Sequence, residues 1–405
     1  MAELHPTLRA EAQAIARRCV HCGFCQATCP TFQVVGDECD GPRGRIDLIT
    51  AALRGEPISN ETLVHLDRCL TCLACETTCP SGVRYGRLAT IGREYLEQER
   101  RPLGRLVRYA LGWLMPHPRR FAAALRLGRL VRPVLPAALA RMIPPVRHHS
   151  RAADQGLEAG GKAPAAAGRH AATEVLLFHG CVQDALVPAI NEATLTLLRG
   201  AGYVVRHNTP QCCGALPLHL GQAEEARQMA RTLLDQLQPD LDKGTPCVVN
   251  ASGCLAHMRD YGALLAQDAC YATRAERAAG LFVEPGKLLR GRVQRAVSAP
   301  QHIMLHAPCT LQHGLHEADS VQRLLEEAGF TVAQPAEAHL CCGAAGPYAI
   351  LERALAQSLK ARKLAHLEAG AAEMIVTANI GCLIHLAEGA HLPVRHYLEL
   401  LQPQP

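Results

Sequence analysis

Cysteines at Cys19-x2-Cys22-x2-Cys25-x3-Cys29-Pro30 and Cys69-x2-Cys72-x2-Cys75-x3-Cys79-Pro80 write one four-thiol run twice. A cubane [4Fe-4S] cluster needs four thiolates converging on one small volume, and a loop with a cysteine at every third position supplies three of them. In this motif the cysteine before proline commonly serves the other cluster. The expected ligand sets are therefore Cys19, Cys22, Cys25 and Cys79 for the first cluster, and Cys69, Cys72, Cys75 and Cys29 for the second. Such crossed ligation ties the loops together and keeps two clusters close, as an electron relay requires. Zinc sites draw their four ligands in pairs, without the 2-2-3 spacing and proline. Disulfides are the other reading of so many cysteines, but the opening MAELHPTLRA has no charged-then-apolar leader, so a reducing, cytoplasmic setting is expected.

The elements that must hold these loops fall into blocks. A chain of 405 residues, 48% of them hydrophobic, has room for two or three domains. Residues 1–98 read as a helical ferredoxin-like domain. The stretch between Cys29 and Cys69 is too long for a compact two-hairpin ferredoxin and carries a helical run, Ile46–Leu53, after the turn Asp40-Gly41-Pro42. Ser59 is placed to cap a helix running toward Cys69, and Thr90–Arg100 reads as a helix leaving the second loop.

Residues 99–150 are basic and amphipathic. From 100 to 149 there are eleven arginines and no acid, interleaved with Leu, Val, Ala and Trp113. Such a segment suits an anionic membrane surface or a partner subunit, since both contacts use the same residue types. Residues 151–173 read as an Ala/Gly-rich flexible linker. A net charge of +5 and 4% aromatic residues give little support for nucleic acid. Arginines interrupt every apolar run before it could span a bilayer, so no crossing helix is expected.

Beyond Thr173 the chain repeats itself. Residues 174–290 and 301–405 each run strand, lone cysteine, helix, strand, Cys-Cys-Gly, helix, strand, Gly-Cys. The spacing from Cys181 to Cys212 matches that from Cys309 to Cys341 to within a single position, and so does the spacing from each pair to its last cysteine, Cys254 or Cys382. This order predicts an α/β module with a parallel sheet, used twice, with the cysteines at the strand ends where open α/β folds bind ligands. Cys181, Cys212, Cys213 and Cys254, with His257, form one candidate metal site. Cys309, Cys341, Cys342 and Cys382, with His385, form the other. Adjacent cysteines fit different irons of a cluster better than one tetrahedral ion, though four soft ligands also suit zinc. Cys39, Cys247 and Cys270 have no counterpart in the repeat and are expected to be small buried hydrophobes.

The wording Cys19-Val-His-Cys-Gly-Phe-Cys-Gln-Ala-Thr-Cys-Pro-Thr, with Gly36-Asp-Glu and Asp40-Gly-Pro-Arg-Gly-Arg45-Ile, resembles the iron-sulfur subunits of bacterial glycolate oxidase. Pro308-Cys-Thr-Leu-Gln-His313 and the two Cys-Cys-Gly modules extend the likeness over nearly the whole chain. The wider superfamily includes subunits of anaerobic glycerol-3-phosphate dehydrogenase and of heterodisulfide reductase. In the latter, such modules hold a noncubane cluster through a terminal Cys-x-x-Cys. Here His257 and His385 stand where its second cysteine would be.

The resemblance implies a non-flavin electron-transfer subunit of an acceptor-linked glycolate dehydrogenase, with FAD and the glycolate site on partner flavoprotein subunits. Electrons would leave for a membrane acceptor such as quinone, from the cytoplasmic face of the inner membrane. The chemistry agrees: oxidising a 2-hydroxy acid removes a hydride, iron-sulfur clusters take single electrons, and no G-x-G-x-x-G follows a strand in this chain. No catalytic acid, base or nucleophile is asked of it. The same relay would also serve a glycerol-3-phosphate, lactate or other 2-hydroxy-acid dehydrogenase. A redox- or metal-responsive binding protein is the rival of another class.

Overall fold

The computed structural model describes residues 4–134 and 173–404, so the end of the basic segment and the linker reading for 151–172 lie outside the described residues. Among the described residues, nine α-helices make the first part: α1 Pro6–Ala16, α2 Phe24–Ala27, α3 Pro30–Val35, α4 Pro42–Leu53, α5 Asn60–Asp67, α6 Ala74–Thr78, α7 Tyr85–Leu96, α8 Pro102–Leu114 and α9 Pro118–Val131. Five of them, α1, α3, α4, α8 and α9, begin on proline, whose fixed φ suits the first turn and whose missing N–H costs nothing there. Ser59 caps α5, accepting the Thr62 N–H at 3.1 Å as expected. Two expected helices start earlier than their apolar runs, α4 at Pro42 and α7 at Tyr85. The apolar faces of α1, α4, α5 and α7 close on a core that includes Leu8, Ile15, Ile49, Leu66, Leu88 and Ile91.

The repeat folds as the pattern dictates. In the first module β1 Glu174–Leu177, β2 Val204–His207, β3 Cys247–Val248 and β4 Phe282–Val283 form a sheet in the order β2-β1-β3-β4. After β5 Val293–Arg295, the second module arranges β6 His302–His306, β7 Thr331–Ala333, β8 Met374–Thr377 and β9 Val394–His396 as β7-β6-β8-β9. Every pairing within these two sheets is parallel. The fold is thus a helical domain followed by two repeated α/β modules. The outer strands β4 and β9 span two and three residues, too short to carry a readable alternation. A final strand, β10 Leu401–Pro403, pairs antiparallel with β5 and ties the chain's end to the connection between modules.

One core runs through both sheets, joining Val175, Leu177 and Val248 to Ile303, Leu305 and Val376. Polar ties cross the same seam: Ser252 N–H donates to Ala378 O at 3.1 Å, and His396 Nε2 sits 3.0 Å from Asn250 O. Three cysteines outside the repeat divide. Cys247 is buried in β3 as expected, Cys39 is half-buried, and Cys270 is exposed on a loop whose turn is held by Asp268, which corrects the reading of it as a buried hydrophobe.

Glu284, just past β4, is buried and receives the Tyr397 hydroxyl hydrogen bond from across the seam. Burial pushes its carboxyl up to about 7, although that hydrogen bond pulls the other way. An unfolded carboxyl titrates near 4.5, so between these values the folded protein holds the extra proton. The group's contribution is full below the lower value and is lost as pH rises through the upper one. Urea denaturation at pH 4.5 and pH 8 should therefore show Glu284→Gln gaining on the parent by on the order of 3 kcal/mol at the higher pH. An equal difference at both pH values would contradict the assignment.

Candidate metal centres

The two cysteine loops of the helical domain share one backbone solution. His21 and Gly23 in the first, and Thr71 and Leu73 in the second, occupy the same two loop positions and all take left-handed φ, between 52° and 84°. Each such residue reverses the chain, so the flanking cysteines turn inward. A pocket opens beside the first loop, lined by Cys19, Cys22, Cys25, Cys75 and Cys79. Cys29 lies instead beside Arg45, whose charge also reaches Cys69, and its own charge bears on Cys72 and Cys75.

Donors point at these sulfurs. Thr71 N–H and the Tyr85 hydroxyl donate to Cys69 Sγ at 3.4 and 3.5 Å, and Val83 N–H donates to Cys79 Sγ at 3.5 Å. Hydrogen bonds to sulfur favour thiolate, the form a metal binds. The strongest such device is Arg45, a fully buried guanidinium. It donates to His65 O at 2.7 Å and Thr31 Oγ1 at 3.1 Å, pairs with Asp40 at 3.4 Å, and lies 4.0 Å from Cys29 Sγ. Burial raises the Cys69 thiol's pKa, but Arg45 and Arg93, with the hydrogen bonds from Tyr85 and Thr71, together hold the group below its ordinary value. By contrast, burial and neighbouring sulfurs drive Cys25 up to about 11 and Cys72 and Cys75 well above the thiol range, an energetic demand that a bound cation would relieve. Gly44 lets α4 approach: a Cβ there would collide with the Glu38 carbonyl and the Cys39 backbone.

The loops differ in exposure. In the first, Cys22 is exposed, with Val20 and Phe24 at 67% and 61%. The second is more covered and packs against the second module, where Leu70 and Cys72 meet Cys341, Cys309 and Tyr348. His313, in a π-helical turn following Cys309, fixes this contact, with Nδ1 3.0 Å from Thr77 Oγ1 and Nε2 2.9 Å from His339 O.

In each module the four thiols meet in a chain. Cys181, Cys212, Cys213 and Cys254 neighbour one another in that order. In the second module, Cys309 Sγ lies 3.8 Å from Cys341 Sγ, and Cys342 Sγ 3.4 Å from Cys382 Sγ. The glycines after the pairs explain the motif. Gly214 and Gly343 sit at φ +96° and +92°, and a Cβ on either would come within 2.9 and 2.7 Å of the Ala226 and Ala356 carbonyls. Their N–H groups donate back to Cys212 and Cys341 sulfur at 3.3 and 3.5 Å.

The repeat histidines lie beside the backbone of the cysteine pairs, His257 near Cys213 and His385 near Cys342. His385 Nε2 faces the Ala356 carbonyl at 3.3 Å, and His257 packs edge-on to Tyr261 with its Nε2 buried and unpartnered. The imidazole that meets the second module's thiols is His306, whose ligand atom lies within 4.8 Å of those of Cys342 and Cys382. Sequence comparison of the copies hid it, because Phe178 occupies its place in the first module. His306 is 1% exposed and neither ring nitrogen has a hydrogen-bond partner, an arrangement that ordinarily costs about 1–3 kcal/mol.

Comparison with known proteins bears on what these sites serve. Residues 15–83 match the 4Fe-4S dicluster domain, and residues 175–259 and 303–387 each match the cysteine-rich domain. Over 99% of its length the chain is 42% identical to the glycolate oxidase iron-sulfur subunit of Escherichia coli, covering 97% of that protein. It belongs to the glycolate oxidase iron-sulfur subunit family. A probable glycolate oxidase iron-sulfur subunit of Bacillus subtilis is 31% identical over 92% of the chain and 88% of its own length. Lactate utilization protein A of Shouchella clausii matches only 56% of the chain, at 27% identity. As a member of this family the chain is an iron-sulfur component of an oxidoreductase.

Because Arg45 is the buried cation shared by Asp40, Cys29 and Cys69, Arg45→Met leaves like charges facing one another. Denaturation of the anaerobic protein should show a loss of about 3–5 kcal/mol, with iron leaving the second loop first. Retention of full stability and iron would contradict the role given to this residue.

Proposed function

We propose that this chain is the electron-transfer subunit of a multisubunit glycolate oxidase, with one [4Fe-4S] cluster held by Cys19, Cys22, Cys25 and Cys79 and a second by Cys69, Cys72, Cys75 and Cys29. The observation that carries this is the joint placement of eight cysteines in two mirrored loops with N–H, hydroxyl and guanidinium donors aimed at their sulfurs. A partner's FAD takes the two electrons released as glycolate becomes glyoxylate, and the proton balance closes on that partner. When bound, the clusters supply one-electron relay. What this chain's residues do is hold the sulfurs as thiolates, cover the second loop more than the first and bring the two sulfur sets side by side. Glycolate is favoured over lactate because the glycolate relatives match 99% and 92% of the chain, against 56% for the lactate ones.

The exposed first loop, with Val20 and Phe24 beside Cys22, is the docking point for the flavoprotein partner. In the assembled complex, Val20→Glu with Phe24→Glu should retain full iron and cut glycolate-dependent quinone reduction roughly tenfold, about 1.4 kcal/mol in the barrier. Undiminished reduction would place the partner elsewhere.

Helix α8 supports delivery to a membrane acceptor. Its polar side is turned inward, with Arg108 Nη2 2.7 Å from Asp67 and Gly112 against Gln222. Its outer face presents Leu103, Leu106, Val107, Tyr109 and Trp113, flanked by exposed Arg101, Arg105, Arg119 and Arg120. Among the described residues no helix is long and apolar enough to cross a membrane, so contact is peripheral. Trp113 is the chain's one tryptophan, and Arg120 stacks 4.4 Å over its ring. Vesicles containing anionic lipid should shift its fluorescence to the blue and neutral vesicles should not. No shift with either would remove this face as a membrane contact.

A further inference from the structure

The two modules share a backbone and four cysteines, yet their interiors differ chemically at matching places. Three positions before the lone cysteine, at the end of the first strand, the first module has Phe178 and the second has His306. Seven positions beyond the alanine whose carbonyl faces the Cys-Cys-Gly glycine, the first has Leu233 and the second Lys363. All four side chains are buried, between 0% and 2% exposed. At these two places the first module has hydrocarbon. The second packs an imidazole and an ammonium.

His306 faces the thiols, and Lys363 lies near them. Lys363 Nζ donates to Glu337 O at 2.8 Å and Ala338 O at 3.3 Å, which anchors its charge, and it lies within electrostatic reach of Cys309, Cys341, Cys342 and Cys382. Burial opposes that charge, while thiolate sulfurs favour it. His306 has both ring nitrogens buried and unpartnered. His306, Cys342 and Cys382 together present an imidazole nitrogen and two soft sulfurs within 4.8 Å of one another. The other pair, Cys309 and Cys341, faces Cys72 of the second loop.

We propose that the second module holds a third metal centre, a thiophilic metal ligated by His306 together with Cys342 and Cys382, with Cys309 and Cys341 extending its sulfur set toward Cys72. His306 rather than His385 is the nitrogen ligand, and Lys363 offsets the thiolate charge. This explains an otherwise costly orphan imidazole and the replacement of Leu by Lys in a sealed core. It deepens the electron-transfer reading, since the centre adjoins the second loop cluster.

The test is metal analysis of the anaerobically purified full chain, with chelator-driven release, for the parent, His306→Phe, His385→Phe and the pair Cys342→Ser with Cys382→Ser. The parent is expected to hold metal beyond the about eight irons of two cubane clusters. The serine pair should lose that excess, and His306→Phe should release it at least roughly tenfold faster, while His385→Phe should not. Iron as the excess metal identifies a cluster, and zinc a mononuclear site with the same ligands. No metal beyond eight irons, or excess metal indifferent to His306→Phe, would overturn the proposal. The loop clusters' own iron and low-temperature EPR signal report on folding in every variant. Their absence from the parent would defeat the electron-transfer reading without touching the His306 assignment.

Discussion

A buried guanidinium among thiolates is the interaction on which the rest of this molecule depends. Sulfurs gathered for a cluster carry negative charge, and sealing them from water raises the cost of that charge. Arg45 answers it at the junction of the two loops. It touches Cys29 from the first, acts on Cys69 in the second, and is locked by Asp40 and Thr31 between them. Asp40 is in turn held by Arg68 at 2.8 Å and His65 at 3.3 Å, so its charge is shared rather than cancelled by Arg45 alone. The close approach at Gly44 and the proline start of α4 serve to bring this one side chain to its place.

The same need for screened charge separates the two ends of the domain. Toward solvent, the first loop leaves Cys22 and two apolar side chains uncovered, as an electron-exchange surface requires. Toward the modules, Cys72 packs against Cys309 and Cys341, and the covering contact is fastened by His313 and by Arg227, which reaches Glu94 at 2.7 Å. The modules are therefore part of the insulation of the second loop.

Much of this was legible in the sequence because it is written as period and spacing. The doubled cysteine runs, the cap at Ser59 and the strands β1, β3, β6 and β8 follow from residue types at short range. What escaped depends on long-range contact. The outer strands β4 and β9 are too short to show alternation, and β5 and β10 find each other only across the folded chain. Cys270 reads as a hydrophobe by type but sits in a solvated turn. His306 was concealed by the same comparison that revealed the modules: matching the copies finds what they share, and this residue is where they differ.

The central claim is that the loops exchange their last cysteines, and EPR with a redox titration tests it most directly. In a chain where Cys19→Ser and Cys22→Ser empty the first loop's site, about four irons of cubane cluster should remain at the second. Adding Cys29→Ser to that chain should then change the remaining cluster's g-values and potential, although Cys29 belongs to the other loop. A remaining cluster unaffected by Cys29→Ser, but lost with Cys79→Ser, would mean that each loop ligates its own cluster and would contradict the account.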